Sequence, residues 1–218
     1  GERTRPPPHF TGIGKMKTLK IKKNAKILFM GDSITDSGRD YSDRHGPTGY
    51  NRIVCERLGD VEGFNRGING ENCGQILQRF RPECEDIRPD VISILGGIND
   101  TTVRGTPPRI ASEAEFYDTY RRMLRTAYEF THEVIVVEPF LIPKDFGMDG
   151  LRNSLFERIY AIRRLANEFG AVYLPMDGIF AENWVERTPE FYTVDCIHLT
   201  AEGKKLLAEE WLKRAERI

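Results

Sequence analysis

The sequence predicts a one-domain α/β protein, a three-layer α/β/α sandwich built on a five-stranded parallel sheet. Three observations carry that prediction. Several short apolar runs show no polar–apolar alternation, which is the pattern of strands covered on both faces. The segments between them carry apolar residues at helical spacing, and strands alternating with helices pair in parallel through right-handed crossovers. A chain of 218 residues that is 39% hydrophobic supplies one sizeable core more readily than two.

The elements follow in order. Residues 26–30 form the first apolar run, ended by Gly31-Asp32-Ser33. Short helices are expected over 49–58 and 73–80, with a weaker strand at 61–65 between them. The next apolar run, 90–95, ends at Gly96-Gly97. Ser112-Glu113-Ala114-Glu115 reads as a capping box, opening a helix that carries Phe116, Tyr120, Met123 and Ala127. Another run, 134–137, ends at Glu138-Pro139. Leu151, Leu155, Ile159, Ile162 and Phe169 form a second stripe, closed by Gly170. Residues 171–174 make the last apolar run, before Pro175. Thr200 suits the cap of a final helix carrying Leu207 and Trp211. The apolar stripes are read as core. Parallel strands point their C-termini to one edge of the sheet, and ligands bind at that edge, so the residues just after each strand are where chemistry is expected.

Charge and composition exclude several classes. The net charge is −1, so no bulk field favours nucleic acid or a membrane. Residues 1–23 hold seven Lys/Arg and one acidic residue, net +6, which leaves −7 for the rest. That segment includes Pro6-Pro7-Pro8 and almost no apolar pattern. Residues 1–21 are therefore expected to be a disordered basic tail or an expression remnant, with Met16 a candidate natural start and the ordered domain spanning 22–218. No window approaches the ~18 apolar residues needed to span a bilayer, and no signal peptide is evident. Cys55, Cys73, Cys84 and Cys196 are too widely spaced for a CxxC pair and read as reduced thiols. A cytoplasmic protein without cofactor or metal is the expectation.

Four short segments stand where chemistry is expected: Gly31-Asp32-Ser33-Ile34-Thr35-Asp36, Asn65-Arg66-Gly67-Ile68-Asn69-Gly70, Gly96-Gly97-Ile98-Asn99-Asp100 and Asp195-Cys196-Ile197-His198. Singly each reads as a turn, a cap or a structural histidine. Together, in this order, they resemble the sequence blocks of the SGNH (GDSL) hydrolase family, from about Lys26 to the C-terminus. Within that family, Gly31 to Arg39 and Gly49-Tyr50 look most like the acetyl-xylan esterase group. The resemblance implies a flavodoxin-like sheet and ester hydrolysis by serine. Ser33 would be the nucleophile and His198 the base that takes its proton. Asp195 lies three positions before His198, so one turn of chain could bring its carboxylate to the imidazole, fixing the tautomer. None of His9, His45 and His132 has an Asp at that spacing. The family resemblance assigns the oxyanion hole to the backbone N–H groups of Ser33 and Gly70 and the side-chain amide of Asn99. Block two departs from the common Ser-Gly pattern, reading Asn69-Gly70-Glu71, so Glu71 must point away from the oxyanion site.

Rival readings are a metal-dependent phosphoesterase with Asp32, Asp36, Asn99 and His198 as ligands, a short-chain lipase or acyl-thioesterase of the same family, and a carbohydrate-binding protein on the same scaffold. Against the first, two-metal sites draw on more histidines and carboxylates than this sheet edge offers. The Gly-x-Ser-x-Gly elbow of the α/β-hydrolases is absent. No insertion long enough for a lid is evident, so a shallow pocket, a short acyl group such as acetyl and a small sugar ester are expected. Relatives of this size often self-associate, which makes a homo-oligomer an expectation that the residues themselves do not supply.

Overall fold

The computed structural model describes residues 17–102, 110–144 and 149–218. The first strand of its five-stranded sheet is β2, Ala25–Gly31. It pairs in parallel with β3, Val61–Gly67, on one side and with β4, Val91–Leu95, on the other. Beyond β4 come β5, Val134–Val137, and β6, Val172–Leu174, again parallel. The order β3-β2-β4-β5-β6 is that of a flavodoxin-like sheet. The chain leaves β2 to one side and returns to the other, so a crevice opens at the C-terminal ends of β2 and β4.

Burial follows the pleat. Ile27 and Phe29 of β2 face one layer, where they pack with Tyr50 and Val54 of α2 (Gly49–Leu58) and with Leu207 and Trp211 of α8 (Ala201–Leu212). Leu28 and Met30 face the other, against Ile76, Phe80 and Cys84 of α3 (Cys73–Ile87) and Phe116, Tyr120 and Met123 of α4 (Glu113–Phe130). The capping box at Ser112 is present, with the Ser112 side chain accepting from the Glu115 N–H. Leu155 and Ile159 of α5 (Asp149–Phe169) join the Trp211 layer, and Ile162 and Leu165 the Phe116 layer. One polar side chain inside the sheet, Ser93, accepts a hydrogen bond from Trp211 Nε1 at 3.1 Å, so both buried groups are satisfied.

Two differences from expectation are the largest at the boundaries of predicted segments. Leu19–Ile21 is a strand, β1, paired in parallel with β7, Ala215–Arg217. The expected tail over 1–21 therefore ends too late: Leu19 and Ile21 are fully buried, with Lys20 turned outward between them. Three residues in a lysine-rich stretch were too short for their alternation to register, and the partner strand, Ala215–Arg217, lies far along the chain. Residues 1–16 lie outside the described residues. In addition, α3 runs seven residues past the expected 80, through Pro82. The proline removes one N–H donor, yet Ile76, Phe80, Cys84 and Ile87 keep a continuous buried stripe across it, and packing outweighs the lost bond.

Candidate active site

The crevice is built first from the turn after β2. Asp32 caps α1, the single turn Ser33–Asp36, by accepting from the Ile34 N–H at 3.0 Å. Gly31 is obligatory by space: a Cβ there would stand 2.2 Å from Thr35 Oγ1 and 2.4 Å from the Leu95 carbonyl oxygen. The turn is held from outside by buried amides. Asn51 Nδ2 donates to the Thr35 carbonyl at 2.9 Å, and Asn65 Nδ2 donates to the Thr35 and Asp36 carbonyls at 2.9 and 3.1 Å. Asp36 accepts from the Gly38 and Arg39 N–H groups and from the Tyr41 hydroxyl. Ser33 is thus presented by a turn that neighbouring elements fix on every side.

The second component arrives from the C-terminal third. Thr193 and Leu199 form an antiparallel bridge, and Val194 N–H donates to the His198 carbonyl at 2.9 Å, so residues 194–198 close a tight turn. Asp195 Oδ1 accepts from the backbone N–H groups of Ile197 (3.1 Å) and His198 (2.7 Å). Cys196 takes the left-handed conformation, φ 77°, that this turn demands. The Asp-x-x-His spacing is therefore a local device: the carboxylate that organises the turn also meets the imidazole it presents. Thr200 then caps α8, accepting from the Gly203 N–H.

These components meet. His198 Nε2 lies 2.9 Å from Ser33 Oγ, and His198 Nδ1 lies 2.5 Å from Asp195 Oδ2. With Nδ1–H donated to the carboxylate, Nε2 can accept the serine proton. Burial resists the Asp195 charge, but hydrogen bonds from the His198 ring and from the two backbone N–H groups outweigh it, and the pKa falls below the usual carboxylate value. The histidine and aspartate side chains are 46% and 51% exposed, so the hydroxyl–imidazole–carboxylate chain lies open to solvent. Ser33 and His198 border a cleft of about 380 Å³ whose walls include Arg39, Tyr41, Asn69 and Lys204.

The opposite edge comes from β3 and β4. Glu71 N–H donates to the Ile68 carbonyl at 3.3 Å, and Gly70 within that turn has φ 80°, a value that side chains resist. Glu71 is drawn aside as required, its carboxylate 2.6 Å from an Arg79 nitrogen, while Arg79 also donates to the Gly31 carbonyl. Asn99 opens a one-turn 3-10 helix, Asn99–Thr101, and its Nδ2 donates to the Glu71 carbonyl at 3.0 Å, which joins the block-two turn to the block-three loop and orients the amide. Asp100, 6% exposed, accepts from the Cys73 N–H at 3.0 Å at the start of α3. Burial raises the Asp100 pKa.

Asp32 is the unusual group here. It is fully buried, its Oδ2 has no hydrogen-bond partner among the described residues, and desolvation pushes its pKa up to about 7, with Asp100 nearby adding to the rise. The four residues conceivable as metal ligands thus have other occupations. Asp32 and Asp36 hold the serine turn, Asn99 the block-two turn, and His198 bridges Ser33 and Asp195. Among the described residues no group of three or more His, Cys, Asp or Glu side chains is arranged to hold a metal. The four cysteines are free thiols, and no described helix is long and apolar enough to cross a membrane. Sequence reasoning missed the bracing amides of Asn51 and Asn65 and the cleft residues Arg39, Tyr41, Asn69 and Lys204. Most of their contacts reach across the fold, and only Arg39, Asn65 and Asn69, inside stretches already singled out, carried any local mark.

A flavodoxin-ordered parallel sheet with a serine hydroxyl, an imidazole and a carboxylate in hydrogen-bonded sequence at its C-terminal edge defines the SGNH class of hydrolase. A model of the GDSL-like lipase/acylhydrolase family matches residues 29–206. The chain belongs to that family and is a carboxylic ester hydrolase. It is 27% identical over 210 residues to an acetylxylan esterase of Geobacillus stearothermophilus, covering 89% of this chain and 95% of the relative. It is 24% identical over 184 residues to an arylesterase of Vibrio mimicus, covering 84% of each. Among solved structures, a GDSL-like lipase from Parabacteroides merdae superposes with a TM-score of 0.83 at 26% identity, covering 90% of this chain and 98% of that one. The Geobacillus acetylxylan esterase superposes with a TM-score of 0.81 at 25% identity, covering 90% and 96%.

Proposed function

We propose that this protein is a metal-independent serine esterase that removes short acyl groups, acetyl above all, from a carbohydrate alcohol. Ser33 attacks the ester carbonyl while His198 takes its proton, and Asp195 holds the imidazole in the tautomer that can do so. The negative oxygen of the tetrahedral intermediate is received by the backbone N–H groups of Ser33 and Gly70 and the amide of Asn99, each donor contributing about 3 kcal/mol to the transition state. His198 then returns its proton to the departing alcohol, and water repeats the sequence on the acyl-enzyme. The single observation that carries this reading is the unbroken contact from Ser33 Oγ through His198 to Asp195, at 2.9 and 2.5 Å. The acetyl and sugar assignments rest on the small, solvent-open cleft and on the similarity to an acetylxylan esterase.

Hydrolysis of 4-nitrophenyl acetate by the wild type and Ser33→Ala, each with EDTA, tests it. EDTA-resistant activity that disappears in the variant is expected. Activity lost to EDTA but kept by the variant refutes the serine mechanism, and faster cleavage of long-chain than of acetyl esters refutes the acyl assignment.

A further inference from the structure

The cleft beside Ser33 carries an excess of positive charge that hydrolysis itself does not call for. Its charged walls are Arg39, Lys204 and Asp36. Asp36 is 5% exposed and already accepts from Gly38, Arg39 and Tyr41, so its charge is spent on the serine turn. Lys204, half-buried on α8, has no hydrogen-bond or ion-pair partner for its ammonium among the described residues. Its stem passes over Gly49, at the start of α2, toward the cleft. Arg39 lies with its guanidinium 4.0 Å from the centre of the Tyr41 ring, held by Nε donating to the Gly67 carbonyl at 2.9 Å, and its guanidinium forms no ion pair with a carboxylate among the described residues. Burial lowers the Arg39 pKa, and the guanidinium groups of Arg66 and Arg79 press the same way, with Tyr41 and Asp36 opposing. By contrast Arg66 and Arg79 have anions of their own, Glu83 and Glu71.

The cleft wall thus carries two cations against one committed anion, and the carboxylate behind it, Asp195, is engaged by the His198 ring and by the Ile197 and His198 N–H groups, so neither cation has an anion of its own to face. Resting on the esterase reading above, we propose that the leaving alcohol carries a carboxylate, so that the substrate class is an acetylated acidic sugar of the uronate type rather than a neutral one. Arg39 gives the pocket a fixed planar donor stacked on an aromatic ring, and Lys204 gives it a mobile point charge from the opposite element.

The test compares acetate release from an acetylated methyl glucuronoside as its free acid and as its primary amide, which keeps the shape and removes the charge. At low salt the wild type is expected to favour the acid about three- to tenfold in kcat/KM, the range for one or two partly exposed ion pairs. The preference is expected to shrink as salt rises. Lys204→Gln should bring the ratio toward one and Lys204→Arg should restore it; because the ratio is internal to each protein, loss of folded enzyme cancels. A wild-type ratio of one or less, or a ratio unmoved in Lys204→Gln, overturns the proposal. Release from neither sugar, with Ser33-dependent cleavage of 4-nitrophenyl acetate retained, overturns the substrate class alone. Loss of that cleavage as well overturns the esterase reading beneath it.

Discussion

Replacing Asp32 with Asn should change how stability depends on pH. The Asp32 carboxyl is fully buried with one oxygen unpartnered, and its pKa rises from 3.8 to about 7, desolvation being the main cause. Between those two values the folded chain binds a proton that the unfolded chain has released. The stability tied to this group is therefore complete below the unfolded value and drains away as pH climbs toward 7, above which a charge must sit in the core. The slope is about 1.4 kcal/mol per pH unit, so from pH 5 to pH 8 the wild type should lose about 2 to 3 kcal/mol through this residue. Asparagine keeps an oxygen to accept from the Ile34 N–H but does not titrate. Urea unfolding of both proteins at pH 5 and pH 8, extrapolated to water, isolates the effect of Asp32 and the charges coupled to it as a difference of differences, because groups distant from Asp32 titrate alike in both. The wild type should fall relative to Asp32→Asn by that amount. Parallel pH dependences would refute the reasoning and show that water reaches the carboxylate.

Other expectations are more local. Asn99→Ala should lower kcat about 10²- to 10³-fold with little change in KM, read from steady-state rates on a short-chain ester, because the amide's contribution belongs to the transition state. Asn65→Ala strips a donor from the Thr35 and Asp36 carbonyls, and should cost about 2 kcal/mol and roughly 5 °C in melting temperature by calorimetry. Gly31→Ala should yield little folded protein on size-exclusion chromatography, since its Cβ would stand 2.4 Å from the rigid Leu95 carbonyl oxygen.

The parts of this molecule legible in its sequence are those whose causes are local. Strands β2, β4, β5 and β6 announce themselves as unalternating runs because both faces are covered, and the capping box before α4 is complete within four residues. The Asp195–His198 pairing is legible for the same reason, since one turn of chain supplies both the geometry and its hydrogen bonds. The contact of His198 with Ser33 crosses 165 residues and became visible only through the resemblance of whole motif blocks. The bracing roles of Asn51 and Asn65 left no pattern, because an amide that braces a distant carbonyl looks like any polar residue until the chain has folded. The continuation of α3 through Pro82 was hidden by the opposite fault, a strong local breaker overridden by a buried stripe. Lys204 reads as an ordinary lysine on an amphipathic helix; only the cleft beside it gives its charge a meaning.

The pairing of β1 with β7 also orders events in time. In that parallel clasp Lys20 and Glu216, 196 residues apart, meet side by side. During synthesis, at about 5 to 20 residues per second, Leu19 and Ile21 wait roughly ten seconds or more for their partner strand. The five-stranded sheet can assemble meanwhile, since β2 to β6 are complete before β7 is made. The clasp therefore closes after the sheet, and a chain stopped short of Ala215 would leave the apolar face of β1 unsealed.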